Sequence, residues 1–270
     1  MAQTLSRGPV SGTAVKAPAK KKPFILDLYA TAVGKKYVMA ITGLIGLGFV
    51  ITHMIGNLKV FLGLVTEGNG DRIYDVDVYG EFLRDLAVPL LPRTWLLWGL
   101  RLVLIAAVLL HIHAAYGLTK INHHARAVKY QSARDYQVAN FASRTMRYTG
   151  IIVGLFIIWH LADLTWGVTG TWERGEVYYN VDQSLSRIPV AALYIVANIA
   201  LGIHLFHGVW SLFQSMGWNN PRFNAWRRNI AVACAAAIVV GNVSIPVAVL
   251  AGVVEYDPAA VTHPVGEDSE

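Results

Sequence analysis

The chain has 270 residues, of which 54% are hydrophobic and 15% charged, and its net charge is +6. A soluble domain carries about 25% charge, so this composition excludes an ordinary soluble globule and makes lipid the solvent for much of the chain. The single cysteine, Cys234, excludes an intrachain disulfide framework, a four-cysteine zinc site and an iron–sulfur cluster ligated by this chain alone.

In chain order, residues 1–35 form a basic cytoplasmic tail. Its stretch up to Pro23 is rich in Ala, Pro, Lys and Ser, includes Lys20, Lys21 and Lys22, and is expected to be disordered. It does not read as a cleaved signal peptide, because the first apolar run is too long and starts too far in. Five segments then meet the requirement of about 20 apolar residues for a spanning helix: 37–64, 95–119, 146–168, 189–216 and 230–254. Turn formers separate them, at Gly68, Asn69 and Gly70, at Pro89 and Pro92, at Gly170, and at Asn219, Asn220 and Pro221. The acidic stretch 65–92 reads as a short outer helix or a lid, and residues 255–270 as an acidic tail. No repeat of 20–50 residues stands out. The fold class expected over 36–254 is an all-α membrane protein with five transmembrane helices: a four-helix bundle plus a fifth helix.

Charge sets the expected orientation. Sixteen of the 23 Lys and Arg residues fall in 1–36, 120–147 and 217–228, with only Asp27 and Asp135 among them as acids. The positive-inside rule then puts the N-terminus in the cytoplasm and the C-terminus outside. Trp95, Trp98, Trp166 and Trp172 would form the outer aromatic belt, and Trp218 and Trp226 the inner one.

Ionisable groups inside a bilayer are costly and are functional candidates by default. His53 lies in the first span, His111 and His113 in the second, His160 in the third, and His204 and His207 in the fourth. A rise of about 1.5 Å per residue puts His53 about 24 Å and His160 about 21 Å above the inner face. From the outer face, His113 lies about 27 Å down and His204 about 22 Å. His53 and His160 therefore form an outer pair. His204 forms an inner pair with a second-span histidine, and spacing leaves His111 or His113 open. Two stacked two-histidine sites in a helical bundle suit two b haems. Gly43, Gly46, Gly48, Gly56, Gly117, Gly150, Gly154, Gly202 and Gly208 allow close approach of helices or of a flat macrocycle.

The run from Thr42 and Gly43 to His53, the run His113–Ala114–Ala115–Tyr116–Gly117–Leu118, Trp159–His160 with Asp163, and the run from His204 through His207 and Gly208 to Trp210–Ser211 together resemble one family. It is the single-chain, five-helix, di-haem cytochrome b anchor of succinate dehydrogenase or fumarate reductase, respiratory complex II. The resemblance covers roughly residues 35–250. It implies His113 rather than His111 as the second-span ligand, giving an iron-ligand set of His53, His113, His160 and His204, with His207 beside it. It also implies an electron-transfer subunit of the respiratory chain and tricarboxylic acid cycle that does not oxidise succinate by itself. Its partners would be a flavoprotein with covalent FAD and an iron–sulfur subunit on the cytoplasmic face, its substrate a quinone, menaquinone for a di-haem system, and its location the cell inner (plasma) membrane. A higher oligomer is compatible with this; nucleic acid is not an expected partner. The basic region with His123, His124, Arg126 and Lys129 would meet an acidic partner surface.

Further candidates surround the histidines. Arg144 and Arg147 are expected near propionates of the inner haem, and Lys59 and Arg101 near those of the outer haem. Asp163, three residues after His160, is the candidate for quinone proton handling, with a structural hydrogen bond as its rival. Tyr29, Trp210, Ser211 and Asn219 are candidates to line a cytoplasmic-side quinone site. Besides a transporter or channel with a histidine-lined proton path, which the lack of broken helices and inverted repeats disfavours, two other readings remain. One is the same complex with a centre of two His and two Cys ligands, needing cysteines from a partner. The other is a di-haem anchor of another oxidoreductase, such as a hydrogenase or formate dehydrogenase.

Overall fold

The computed structural model describes residues 23–124, 140–218, 220 and 224–262. Lys20–Lys22, Arg126, Lys129, Asn219 and residues 263–270 lie outside the described residues, as does the side chain of Arg144. The chain opens with a short helix, α1 (Phe24–Ala30), which folds back on α2 (Ala32–Asn57). Thr31 makes the corner, its Oγ1 accepting the Gly34 N–H at 2.9 Å. Gly34 is required there, since a Cβ would fall 2.0 Å from the Leu28 carbonyl oxygen. Residues 24–35, grouped with the tail in the sequence reading, are thus α1 and the first turn of α2.

A 3₁₀ turn (Leu58–Leu62) extends α2. A two-stranded antiparallel hairpin of β1 (Leu64–Thr66) and β2 (Arg72–Tyr74) follows, in the register Val65 opposite Ile73, and then α3 (Asp75–Asp85). The short-helix reading of residues 65–92 holds for α3. The remaining helices are α4 (Trp95–His124), α5 (Asn140–Leu164), α6 (Val177–Leu185), α7 (Ile188–Ser215) and α8 (Asn224–Leu250). Among the described residues, five stretches are long and apolar enough to cross a membrane: Ala32–Leu62, Trp95–His124, Thr145–Leu164, Ile188–Ser215 and Trp226–Leu250. The chain is an all-α membrane protein.

Packing follows a hairpin logic. α2 lies on α4, α5 on α7, and α8 on α7. Apolar side chains on the spans point outward, with Leu44, Ile105, Leu109 and Leu155 all more than half exposed, as a lipid-facing surface requires. The apolar core gathers instead at one end, where Val60, Tyr74, Val76, Tyr178, Leu185, Tyr194 and Val249 pack together. There the hairpin, α3, α6 and the segment after α8 form a cap. Tyr74 stacks on Tyr178 with centroids 3.6 Å apart, and Thr262 closes onto Arg72, its Oγ1 accepting the Arg72 N–H at 2.7 Å. The proximal part of the acidic tail is therefore packed into the cap.

Asp77 ties the cap together. Its Oδ1 accepts the N–H groups of Val177 at 2.5 Å and Tyr178 at 3.0 Å, at the start of α6, while Oδ2 is buried without a hydrogen-bond partner. Burial pushes its carboxyl up to about 7, against the pull of those two N–H groups. An acid whose folded value is raised holds its proton longer in the native state. The contribution of Asp77 is therefore full at low pH, declines as pH rises from about 4 to about 7, and is flat above that. Amide exchange at Val177 and Tyr178, corrected for intrinsic rates, should show less protection at pH 8 than at pH 5, and Asp77→Asn should remove that difference.

Candidate functional site

α2 and α5 carry the same local pattern. Residues 42–53 (TGLIGLGFVITH) and 149–160 (TGIIVGLFIIWH) agree at Thr, Gly, Ile, Phe, Ile and His. In each helix the histidine lies ten residues beyond the glycine, and each ring meets the phenylalanine one turn earlier, Phe49 with His53 at 5.1 Å and Phe156 with His160 at 5.8 Å between centroids. The shared stretch is twelve residues long, shorter than a repeat of 20–50 residues. With α4 and α7 added, the bundle consists of two similar hairpins, α2/α4 and α5/α7.

The histidines meet across the two hairpins. His53 of α2 faces His160 of α5 with centroids 5.9 Å apart and planes at 82°. His111 of α4 faces His204 of α7 at 6.4 Å and 64°. Both members of this second pair lie sixteen residues into their helices, about 24 Å of rise, so they share one depth. The expected partner His113 is elsewhere. It is exposed, its Nδ1 is hydrogen-bonded to the Tyr29 hydroxyl, and its ring lies 5.7 Å from that of Tyr29. The pairing of His204 with His113 is therefore corrected to His111. Two residues along a helix rotate a side chain by about 200°, so both cannot face α7.

Hydrogen bonds fix the ring tautomers. Thr42 Oγ1 donates to the Val38 carbonyl at 2.7 Å, which leaves its lone pair to accept from His111 Nδ1 at 3.1 Å. Thr149 repeats this, donating to the Thr145 carbonyl at 3.1 Å and accepting from His204 Nδ1 at 3.4 Å. The Tyr194 hydroxyl donates to Asp163 Oδ2 at 2.9 Å and accepts from His160 Nδ1 at 3.4 Å. In all three rings Nδ1 is the donor, so Nε2 keeps its lone pair. Glycines seat two of them: a Cβ at Gly43 would fall 3.4 Å from His111 Cε1, and one at Gly150 would fall 3.3 Å from His204 Cε1. At Gly46, Gly48, Gly154 and Gly208 a Cβ would meet nothing within 4 Å.

These pairs fit haem iron. Two metal–nitrogen bonds of about 2 Å would put facing imidazole centroids roughly 6 Å apart, close to both observed separations. Among the described residues no group of three or more His, Cys, Asp and Glu converges. Two imidazoles alone suit a metal whose other ligands arrive with it, as a porphyrin supplies them.

Asp163 is buried beside the His53–His160 pair and surrounded by donors. Arg187 Nη2 donates at 2.8 Å and the Tyr194 hydroxyl at 2.9 Å, and the hydroxyls of Ser184 and Thr169 donate as well. A carboxylate so occupied is an anchor between α5, α6 and α7 that orients Tyr194 and through it His160. This favours the structural hydrogen-bond reading of Asp163 over quinone chemistry.

The other candidates scatter. Lys59 is ion-paired with Asp75 at 2.5 Å. Arg101 is exposed and lies over Trp98, 5.0 Å from the ring centroid. Arg147 Nη1 lies 3.4 Å from His123 Nε2, joining α5 to the end of α4. His207 is half-buried on the turn after His204, and Ser211 donates to the Gly208 carbonyl at 3.1 Å. Trp210 carries the guanidinium of Arg227, 5.3 Å above its ring.

Residues 119–243 match the family model of the succinate dehydrogenase/fumarate reductase transmembrane subunit. The match supports a membrane-anchor subunit of that multi-subunit enzyme. It covers α5, α6, α7 and most of α8, and so contains His160 and His204 but not His53 or His111, which face them from the other hairpin. No curated protein and no solved structure matches the chain.

Proposed function

We propose that the chain is the membrane anchor and electron conduit of a succinate:quinone oxidoreductase, holding two b haems, one between His53 and His160 and one between His111 and His204. The observation that carries this reading is the two histidine pairs, at iron-spanning separation and with Nδ1 engaged in three of the four rings. Tyr194 and His204 are ten residues apart on α7, so the two sites are separated by about 15 Å along the bundle. Bound haem would supply a one-electron carrier at each site. The chain's own residues fix ligand tautomers, keep water from the span, and set ligand basicity through Thr42, Thr149 and Tyr194.

In this reading the N-terminus and the α4–α5 connection face the cytoplasm of a plasma membrane, where the flavoprotein and iron–sulfur subunits dock. Menaquinone is the acceptor. The Tyr29–His113 pair, at the same end of the bundle as Lys35, offers a hydroxyl and an imidazole to hand protons to a reduced quinone. The test is a haem-to-protein ratio of two with a redox titration of the purified complex, together with identification of its partners. A molybdenum or nickel partner, or iron with labile sulfide and no haem absorbance, rejects the proposal.

The threonines have a separable signature. Thr42→Val removes an acceptor that makes His111 a better donor to ferric iron. The midpoint potential of one haem should rise by roughly 30–60 mV, tenfold in equilibrium being 59 mV for one electron. Thr42→Ser should restore it, and the other haem should not move.

A further inference from the structure

At the end of the bundle where α7 finishes and α8 begins, a pocket of about 550 Å³ is lined by Phe213, Gly217, Trp218, Trp226, Arg227 and Ile230, with Asn220 at its edge. Its wall is made by the way α7 stops. Gly217 adopts φ 77°, its N–H bonds the Gln214 carbonyl at 3.2 Å, and the Trp218 N–H bonds the Phe213 carbonyl at 2.9 Å. This turn folds Trp218 back over Phe213, with centroids 6.1 Å apart.

Arg227 enters from the first turn of α8 and is 4% exposed. Its guanidinium lies over Trp210, and Nη2 donates to Asn224 Oδ1. Nε and Nη1 are buried with no hydrogen-bond partner, and among the described residues no carboxylate forms an ion pair with it. A buried cation with idle donors is costly unless something supplies both acceptors and negative charge. A neutral carbonyl supplies only the first. An anion supplies both, and the start of α8 favours it further through its free N–H groups and dipole.

We infer that this pocket binds the phosphodiester headgroup of an anionic membrane phospholipid. The chain spans a membrane, and a basic pocket between spanning helices at the interface is where acidic headgroups bind. Trp218 and Trp226, 62% and 69% exposed, sit as interfacial tryptophans do, and exposed Ile230 continues an apolar track for the acyl chains. Arg227 is the phosphate ligand. The inference needs only the five-span fold and stands apart from the histidine sites.

The test uses the full chain in its native assembly, reconstituted in bilayers of phosphatidylcholine with and without phosphatidylglycerol, with retained lipid counted by native mass spectrometry. Wild type should retain phosphatidylglycerol over phosphatidylcholine by about tenfold. Arg227→Met should lose that preference, and Arg228→Gln, at an exposed neighbour, should keep it. If Arg227→Met does not fold, Arg227→Lys and Trp218→Ala give the reading, each expected to weaken retention at unchanged thermal stability. Equal retention of the two lipids by wild type would overturn the inference. So would an equal loss in Arg228→Gln, or unchanged preference in the Arg227 and Trp218 variants. Displacement of the lipid by millimolar inorganic phosphate would assign the site to a free anion, and displacement by a naphthoquinone would assign it to quinone. Both would reject the lipid.

Discussion

His111→Ala should strip one of two b haems from the assembled complex, while His113→Ala should leave both in place. The two residues are near neighbours on α4, yet only His111 faces His204. Losing His111 would remove one of the two imidazoles that would hold the haem in the proposed function, together with the hydrogen bond to Thr42 that orients its ring. His204→Ala should match His111→Ala, and His53→Ala should match His160→Ala with the other haem lost. Haem content by pyridine haemochrome and low-temperature spectra of each variant decide the matter. Retention of both haems in His111→Ala with loss in His113→Ala would restore the assignment that the family resemblance implied.

Asp163→Ala should be the most destabilising single change in the bundle away from the histidines. Four donors converge on this carboxylate, and its removal leaves Arg187 without its counter-charge and Ser184, Thr169 and Tyr194 with unmade hydrogen bonds. Breaking a buried ion pair from one side costs about 3–5 kcal/mol, which the 36% exposure of Arg187 lowers here to about 2 kcal/mol before the lost hydroxyl hydrogen bonds are added. Asp163→Asn keeps the shape and one acceptor oxygen but turns an NH2 towards two of the donors, so it should cost somewhat less. Arg187→Ala removes one of the four donors and leaves the hydroxyls of Ser184, Thr169 and Tyr194 on the carboxylate, so it should also be milder than Asp163→Ala. Thermal unfolding in detergent reports the order. Because Tyr194 loses its acceptor, the spectrum of the His53–His160 haem should change in Asp163→Ala while the other haem stays as in wild type. A quinone-chemistry role for Asp163 would instead lower turnover with stability and spectra unchanged.

What the sequence made legible follows from which physical constraints are local. A bilayer demands about 20 apolar residues per span, so all five helices were readable. Depth is also local, since rise per residue is constant, so His53 and His160 could be paired. Azimuth is not. Whether His111 or His113 faces α7 depends on how α4 rolls against α2, which no spacing within α4 records. The Asp163–Arg187 pair joins residues 24 apart across a turn and the short helix α6, and nothing near either one names the other. Lys59 and Arg101 were assigned by depth, and α3 and Trp98 claim them instead. Arg227 was legible only as one more positive charge on a loop; its burial appears once Trp210 and Asn224 enclose it.

The paired hairpins carry a consequence for biogenesis. Each pair takes one imidazole from α2/α4 and one from α5/α7, so neither hairpin would hold an iron alone. A ribosome-bound chain that has inserted only its first two spans has half of each site and no complete one. In the proposed function, haem capture would wait until α5 and then α7 arrive, and each haem would from then on join the two halves across their seam. Chains starved of haem should thus accumulate with both hairpins inserted and the seam between them unsealed, a preferred substrate for membrane proteases.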